Sequence, residues 1–253
     1  MCNPRRDRNV TAPVSIGNNS MDLNFDFDDL DLLNAVVHNG GACEIDFPSL
    51  GVVWGGAISE HHRHFPQTDT LSNIGSTGML AVTSNSGLTS LDLSSLHNVE
   101  GILGILNNFQ LLELSFPSLS LCTGLIFIGS NQQLKGVTIV NFVEENLFLE
   151  IFNNPRLEEI ALPELKNFGG HIFIDENEQL GHFTLPMMIG MSSGSSMTIR
   201  NCASLESLSF PSLACLYVAT FILENNLMNV TIPKECSHHF TSINNPKLTF
   251  IEI

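Results

Sequence analysis

Apolar and polar positions recur along this chain with a period of 23 residues. Each unit starts at an asparagine and carries apolar residues three, six, eight and eleven positions later, often with a proline at the ninth. The regular units begin at Asn85, Asn108, Asn131, Asn154 and Asn177. The clearest unit consists of Asn154, Leu157, Ile160, Leu162, Pro163 and Leu165. A fixed period of this length predicts a repeat architecture in which neighbouring units stack and bury a shared core.

The same period extends in both directions from the regular units. Upstream, Asn39 lies two periods before Asn85, so we expect a diverged coil at about residues 51–78. Downstream, Cys202 and Glu224 take the place of the asparagine, and Asn245 opens a last, unfinished unit. The pattern therefore predicts about nine coils between residues 38 and 253.

Strands rather than helices fit these units. Leucine-rich repeats and β-helices both have periods in the twenties, but here each unit alternates apolar and polar residues and has proline near its middle. Alternation is typical of strands, and proline disfavours the interior of a helix. We predict an all-β, right-handed β-solenoid (β-helix) of about nine 23-residue coils with an N-terminal cap.

The recurring asparagines have a structural explanation. An amide stacked on another amide donates to one neighbour and accepts from the next, which satisfies polar groups at a buried turn. We expect such a ladder from Asn85, Asn108, Asn131, Asn154, Asn177 and Asn245. The doubled forms, such as Asn107 with Asn108, suit tight turns because asparagine tolerates a left-handed backbone.

Two units carry a family resemblance, IFNNPRLEEIALPELKNFGGHIFIDENEQL and INNPKLTFIEI. They resemble the repeat of receptor L domains, which include the ligand-binding domains of growth-factor and insulin-type receptors and glycolipid-anchored fungal cell-wall proteins. The resemblance covers about residues 36–253. It implies a recognition or adhesion module that binds a protein, with a glycan as a further possibility. The bacterial-type leucine-rich repeat is the runner-up, and only Cys202 fits its anchor cysteine.

The family resemblance and the first residues of the chain indicate different cellular compartments. The resemblance implies an extracellular or cell-surface protein, whereas the first residues lead into a polar segment without the apolar stretch of a signal peptide. An intracellular protein is therefore the alternative.

Composition narrows the classes of partner. The net charge is −16, with 26 acidic and 10 basic residues, which disfavours nucleic acid and anionic membranes as partners. No apolar run is long enough for a transmembrane segment. With so few scattered basic residues we find no catalytic constellation and no phosphate-binding loop, so we expect a non-enzyme without a cofactor.

The N-terminal part differs from the repeats. We expect a flexible segment over residues 1–20 and an acidic cap over residues 21–37, with a short helix beginning near Asp28. Calcium binding is the alternative for this acidic stretch. Against it, the stretch lacks the glycine and terminal glutamate of an EF-hand loop.

Cysteines and histidines suggest no metal site. No pair of cysteines has metal-ligand spacing. Cys215 and Cys236 follow the prolines of adjacent coils, so they form either a disulfide or two buried thiols. His62 and His64 share one strand face, but a third ligand is missing, and we interpret them as part of a solvated loop.

The candidate binding surface comes from strand alternation. In the strand before each asparagine, residues at positions −5 and −3 should point inward and those at −4 and −2 outward. The large apolar residues that this rule places outside, on consecutive coils, are Leu106, Phe127, Phe152 and Phe173. Contiguous exposed apolar groups mark partner surfaces. The alternative is that a loop or the N-terminal segment covers them.

Other functions remain as alternatives. A scaffold subunit of a larger assembly fits the same repeats, and an open end at the last coil would leave strand edges for another chain. Ice binding would use hydroxyl rows such as Ser115, Thr138, Thr184, Ser209 and Thr231 at position +7. Their companions at position +5 are Glu113, Gly136, His182, Ser207 and Asn229, so the threonine array that ice binding requires is missing.

Overall fold

A computed structural model describes residues 14–16, 35–38, 52–53, 57–60, 67–70, 76–85, 87–140, 146–216, 220–225, 229–232, 240–245 and 248–252. Within these ranges the chain forms strands and turns, and no helix occurs. The strands are mutually parallel, because every coil runs in the same direction and lies in register on the one before.

The largest sheet, called sheet 1, has 13 strands. In spatial order its main path is β1 (Val14–Ile16), β2 (Ala35–His38), β4 (Ala57–Glu60), β7 (Leu80–Thr83), β10 (Leu103–Leu106), β13 (Leu125–Gly129), β15 (Asn146–Phe152), β17 (Asn167–Asp175), β20 (Ser196–Arg200), β23 (Thr220–Glu224) and β25 (Phe240–Ile243). Two short strands complete sheet 1. β19 (Gly190–Met191) pairs with the start of β17, and β22 (Cys215–Leu216) pairs with β19.

A second parallel sheet, called sheet 2, has seven strands that follow the asparagines. They are β11 (Glu113–Phe116), β14 (Gly136–Ile139), β16 (Glu159–Ala161), β18 (His182–Thr184), β21 (Ser207–Ser209), β24 (Asn229–Ile232) and β26 (Thr249–Glu252). Two small sheets complete the strands: β3 (Val52–Val53), β6 (Ser76–Thr77), β9 (Asn98–Val99) and β12 (Leu121–Cys122) in one, and β5 (Gln67–Thr70) with β8 (Leu88–Asp92) in the other.

These sheets are the walls of a β-solenoid that makes about six turns with a coil spacing of about 23 residues. The prediction of an all-β solenoid is confirmed in this form. Two strands fall within the predicted N-terminal segments, β1 in residues 1–20 and part of β2 in residues 21–37, and β1 pairs in parallel with β2. The acidic stretch around Asp28 lies outside the described residues.

The core fills the inside of the solenoid with one layer of apolar side chains per coil. In the unit at Asn154, Leu157, Ile160, Leu162 and Leu165 are all at most 3% exposed. Fully burying a side chain of this kind stabilises the fold by about 1.5–3 kcal/mol. One coil has no partner for these side chains, so this stabilisation exists only when coils stack.

The asparagines form the predicted ladder at the turns that follow the strands of sheet 1. Asn85, Asn108, Asn131, Asn154 and Asn177 are fully buried. In Asn108, Asn131, Asn154 and Asn177 the side-chain oxygen accepts a hydrogen bond from the backbone N–H of the asparagine one coil earlier, at 3.0 Å from Asn131 to Asn154. The side-chain nitrogen donates to a strand carbonyl of that earlier coil, as from Asn131 to Ile105 at 3.0 Å. Each asparagine thus links two coils. Asn245 donates to Leu223 in the same way.

The residue before each ladder position has a left-handed backbone. Asn107, Asn153 and Asn244 have φ values of 58°, 51° and 54°. The other residues in this conformation are Ser84, Ser130, Glu176, Asn201 and Asn225. This conformation turns the chain from sheet 1 towards sheet 2, and asparagine adopts it at low cost.

The register departs from the 23-residue period after β17, and the later offsets include 24 between β20 and β23 and 19 between β23 and β25. Between β17 and β20 the register offset is 25, as in Ile172 paired with Met197, and a turn at Gly194 with φ +82° takes up the extra residues. The placement of Glu224 at a ladder position is wrong. Glu224 ends β23 in register with Arg200, two residues before Cys202, because the following turn is shorter than the pattern suggested.

Candidate functional site

The outer face of sheet 1 is set by strand alternation. The residues at positions −5 and −3 are buried on every regular coil, including Leu103, Ile105, Ile126, Ile128, Leu149, Ile151, Ile172 and Ile174. The residues between them point outward. Because the strands are in register, these outward residues stack in columns that run along the solenoid.

Three columns make up this face. The first, at position −4, contains Ala81, Gly104, Phe127, Glu150, Phe173, Thr198 and Ile222. The second, at position −2, contains Thr83, Leu106, Gly129, Phe152, Asp175, Arg200 and Glu224. The third, at position −6, contains Leu125, Phe148, His171, Ser196 and Thr220.

The structure brings the predicted patch together as a zigzag across two columns. Leu106 and Phe152 stand in the second column and Phe127 and Phe173 in the first, on four consecutive strands, and all four are half-buried. The ring centroids of Phe127 and Phe152 are 4.8 Å apart and tilted by 45°. The ring of Phe152 covers Gly129, which has no side chain to displace it. Glycine on one strand therefore makes room for phenylalanine on the next.

Sequence reasoning missed the third column. Phe148 is 41% exposed, and its ring centroid lies 5.4 Å from that of His171. Leu125 is half-buried beside it, and Ile102 on the preceding coil is 48% exposed. Continuing the outward alternation from position −4 to position −6 identifies this column. The third column widens the apolar surface of the face.

A charged pair closes one end of the apolar surface. Nε and Nη2 of Arg200 donate to one carboxylate oxygen of Asp175 at 2.9 and 2.7 Å, and Asn201 donates to the other oxygen at 2.8 Å. The hydrogen bond to Asp175 raises the pKa of Arg200. The guanidinium carbon also lies 4.9 Å from the ring centroid of Phe173, a cation–π distance. Phe173 is therefore held in place by a neighbour from the next coil.

Sheet 2 carries a second, more polar surface. A shallow groove of about 640 Å³ is lined by Glu158, Glu159, Ile160, Ala161, Leu162, Pro163, Gln179, Gly181, His182, Thr184 and Pro186. Nδ1 of His182 lies 2.7 Å from the Ser207 hydroxyl one coil further on. Ala161 stands in register between Thr138 and Thr184, so the row of hydroxyls at position +7 is interrupted there.

Several predicted features fall outside what the structure describes. The side chains of Cys215 and Cys236 and the histidines His62 and His64 are among them. Over the described residues, no group of three histidine, cysteine, aspartate or glutamate side chains has metal-binding geometry. The described part of the chain also contains no helix long and apolar enough to cross a membrane.

Cys202 replaces asparagine in the ladder as a free, buried thiol. Its sulfur donates to the carbonyl of Arg200 at 3.3 Å. Burial raises the pKa of the Cys202 thiol to about 11, and a hydrogen bond from the backbone N–H of Asn177 opposes this only partly. The thiol is therefore neutral and covered at physiological pH.

The raised pKa predicts a loss of stability in alkali. The pKa of the thiol is near its ordinary value of 9.0 in the unfolded chain and about 11 in the folded chain. The stabilisation is complete below pH 9 and is lost as pH rises through this window. Between pH 9 and 11 the native protein should lose about 2–3 kcal/mol more unfolding free energy than Cys202→Ala does. Urea unfolding of both proteins across this range measures the difference. Parallel pH profiles would contradict the prediction.

No family model matches the chain, and no curated protein or solved structure is significantly similar to it. The resemblance to receptor L domains therefore rests on the repeat pattern alone.

Proposed function

We propose that this protein is a non-enzymatic recognition module that docks a partner protein through the outer face of sheet 1. The observation that carries this proposal is the zigzag of Leu106, Phe127, Phe152 and Phe173 on four consecutive strands. Partly exposed aromatic side chains clustered on one face are typical of the centres of protein interfaces.

The scaffold beneath the patch supports the same function. The strands that carry it are hydrogen-bonded in parallel on both sides, and their inward residues are buried. The Phe127 and Phe152 rings already contact each other, so little side-chain freedom is lost when a partner covers them. Preorganisation of this kind lowers the entropic cost of association.

The resemblance to receptor L domains supplies a proposal for where the protein acts and what it binds. On this basis the protein acts at the cell surface or outside the cell, with a protein as partner and a glycan as a further ligand. The solenoid is right-handed, comprises about nine coils and carries a cap at its N-terminal end, as solenoids require.

Removing two rings tests the docking face. Phe127→Ser combined with Phe152→Ser should weaken the affinity for the natural partner about 100-fold, because truncating central aromatic residues typically costs more than 1 kcal/mol each. The partner would be isolated from the natural source with the native chain, identified by mass spectrometry, and its affinity for both proteins measured by surface plasmon resonance.

A matched control removes equally exposed apolar groups elsewhere. Phe109 and Leu112 are 43% and 46% exposed in the turn between sheets 1 and 2. Phe109→Ser combined with Leu112→Ser should leave the partner's affinity within about twofold of the native value. If the control pair weakens binding and the Phe127 and Phe152 pair does not, the docking face lies elsewhere.

A further inference from the structure

Glu150 occupies the centre of the docking face, with a phenylalanine at each of the four adjacent outward positions. Phe148 and Phe152 lie two residues before and after it on β15 and point to the same side of the sheet. Phe127 on β13 and Phe173 on β17 are its register partners on the two neighbouring strands. These five side chains, which we call the Glu150 cage, therefore occupy adjacent places on one surface.

The carboxylate in this cage has no counter-charge of its own. Glu150 is half-buried, and over the described residues no hydrogen bond or ion pair involves its side chain. The nearest cation of the same face, Arg200, is already bound to Asp175. The half-buried carboxylate is therefore left to pair with a cation from outside the chain.

The rings favour an organic cation rather than a metal ion. The face of an aromatic ring attracts ammonium and guanidinium groups, and sites built from several rings recognise alkylated ammonium ions. The pair of Arg200 and Phe173, with 4.9 Å between guanidinium carbon and ring centroid, shows this interaction on the same face. A second cation placed over Glu150 would contact rings and a carboxylate together, whereas a small metal ion needs several oxygen ligands.

We propose that the Glu150 cage binds a lysine or arginine side chain of the partner protein. This assignment rests on the docking function proposed above and names the chemistry of its partner. The charge of the chain favours this assignment. The net charge is −16, Glu224 is a further acid in the second column, and Glu176 directly follows Asp175. A second copy of the chain would instead bring another strongly negative surface against the first.

Small probes test the cage without the partner. Choline and its uncharged isostere 3,3-dimethylbutanol would each be titrated into the full chain at constant ionic strength, with their methyl proton signals followed by NMR. We expect choline to bind about tenfold more tightly than the alcohol, with its methyl signal shifted upfield by the rings. Glu150→Gln should reduce choline affinity about tenfold and leave the alcohol within about twofold. Equal binding of the two probes, or an unchanged preference in Glu150→Gln, overturns the proposal.

Glu159→Gln is the matched control for charge. Glu159 is an exposed, outward-facing glutamate on sheet 2, outside the docking face, so its substitution removes the same charge at a distance from the rings. Choline affinity should stay within about twofold of the native value, because exposed charges are strongly screened. Circular dichroism and the urea midpoint of each variant confirm that the chain is folded.

Peptides separate a protein side chain from a free amine. Blocked valine-rich pentapeptides with lysine, arginine or norleucine at the centre would be titrated in the same way, and the cationic peptides should bind about tenfold more tightly than the norleucine peptide. Binding of choline without preference for the cationic peptides overturns the assignment to a protein side chain.

The natural partner separates the two proposals. If its affinity depends on Phe127 and Phe152 but not on Glu150, the docking face is supported and the Glu150 cage is refuted. A cage that binds cations while Phe127→Ser with Phe152→Ser leaves partner affinity unchanged would refute the docking face alone.

Discussion

Asn154→Ala is expected to lower the free energy of unfolding by about 3–5 kcal/mol, the largest effect of any single substitution considered for this chain. Asn154 is fully buried in the middle of the ladder. Its side-chain oxygen accepts from the backbone N–H of Asn131 at 3.0 Å, and its nitrogen donates to the carbonyl of Ile128 at 3.3 Å and to the side-chain oxygen of Asn177 at 3.2 Å. Alanine removes all three bonds and leaves the buried backbone N–H of Asn131 without its acceptor, while the Asn177 oxygen keeps the backbone N–H of residue 154.

The neighbouring residue supplies the control. Asn153 has a left-handed backbone with φ 51°, and its side chain donates only to the Ser130 hydroxyl at 3.1 Å, on a partly exposed site. Asn153→Gly keeps the backbone conformation and should change the unfolding free energy by less than about 1 kcal/mol. Urea midpoints followed by circular dichroism measure both variants. Equal midpoints for the two would mean that the ladder contributes little to stability.

Gly124→Ala is expected to destabilise the fold by about 3 kcal/mol. Gly124 precedes β13 at the corner where the chain enters sheet 1, directly above Gly101 of the preceding coil. A Cβ at Gly124 would clash with the backbone carbonyl of Gly101, and its nearest other neighbour is the Gly101 carbonyl carbon at 2.6 Å. Backbone atoms cannot move aside as a flexible side chain does, so the two coils must separate locally.

Gly181→Ala is the matched control, and we expect it to raise the stability of the fold rather than lower it. Nothing lies within 4 Å of the position that a Cβ would take at Gly181. Alanine there should stabilise the protein by about 0.4–1 kcal/mol, because it restricts the unfolded chain without a clash in the folded one. Thermal or urea unfolding of both variants gives the comparison. A Gly124→Ala variant as stable as the native protein would show that the coils are not packed as closely as the structure has them.

Both predictions concern contacts between coils, and the proposed docking face depends on the same contacts. Phe127, Glu150 and Phe173 belong to three different coils and are adjacent only because those coils stack in register. A substitution that separates coils should therefore weaken partner binding as well as stability. In a repeat protein this effect is local, since each coil contacts only its neighbours.

Several features followed from the sequence because they are local or repeat in every unit. The asparagine period identified the stacking unit, the alternation identified Leu103 and Ile105 as buried, and the doubled asparagines identified left-handed turns at Asn107 and Asn153. Periodicity reports which side of a strand a residue faces, and that is a property of the strand itself. The outward positions of Phe127 and Phe152 follow from the same rule.

Tertiary structure decided what lies beside what across coils. The third column with Phe148, the four rings around Glu150 and the pairing of Arg200 with Asp175 all depend on the register between strands that are 23 or 25 residues apart. That register is set by the lengths of the turns, and the sequence pattern misplaced it where a turn was shortened, at Glu224. The repeat in the sequence therefore determined the solenoid and its two faces. Only the stacked coils, by fixing which outward side chains are neighbours, placed Glu150 between four phenylalanines.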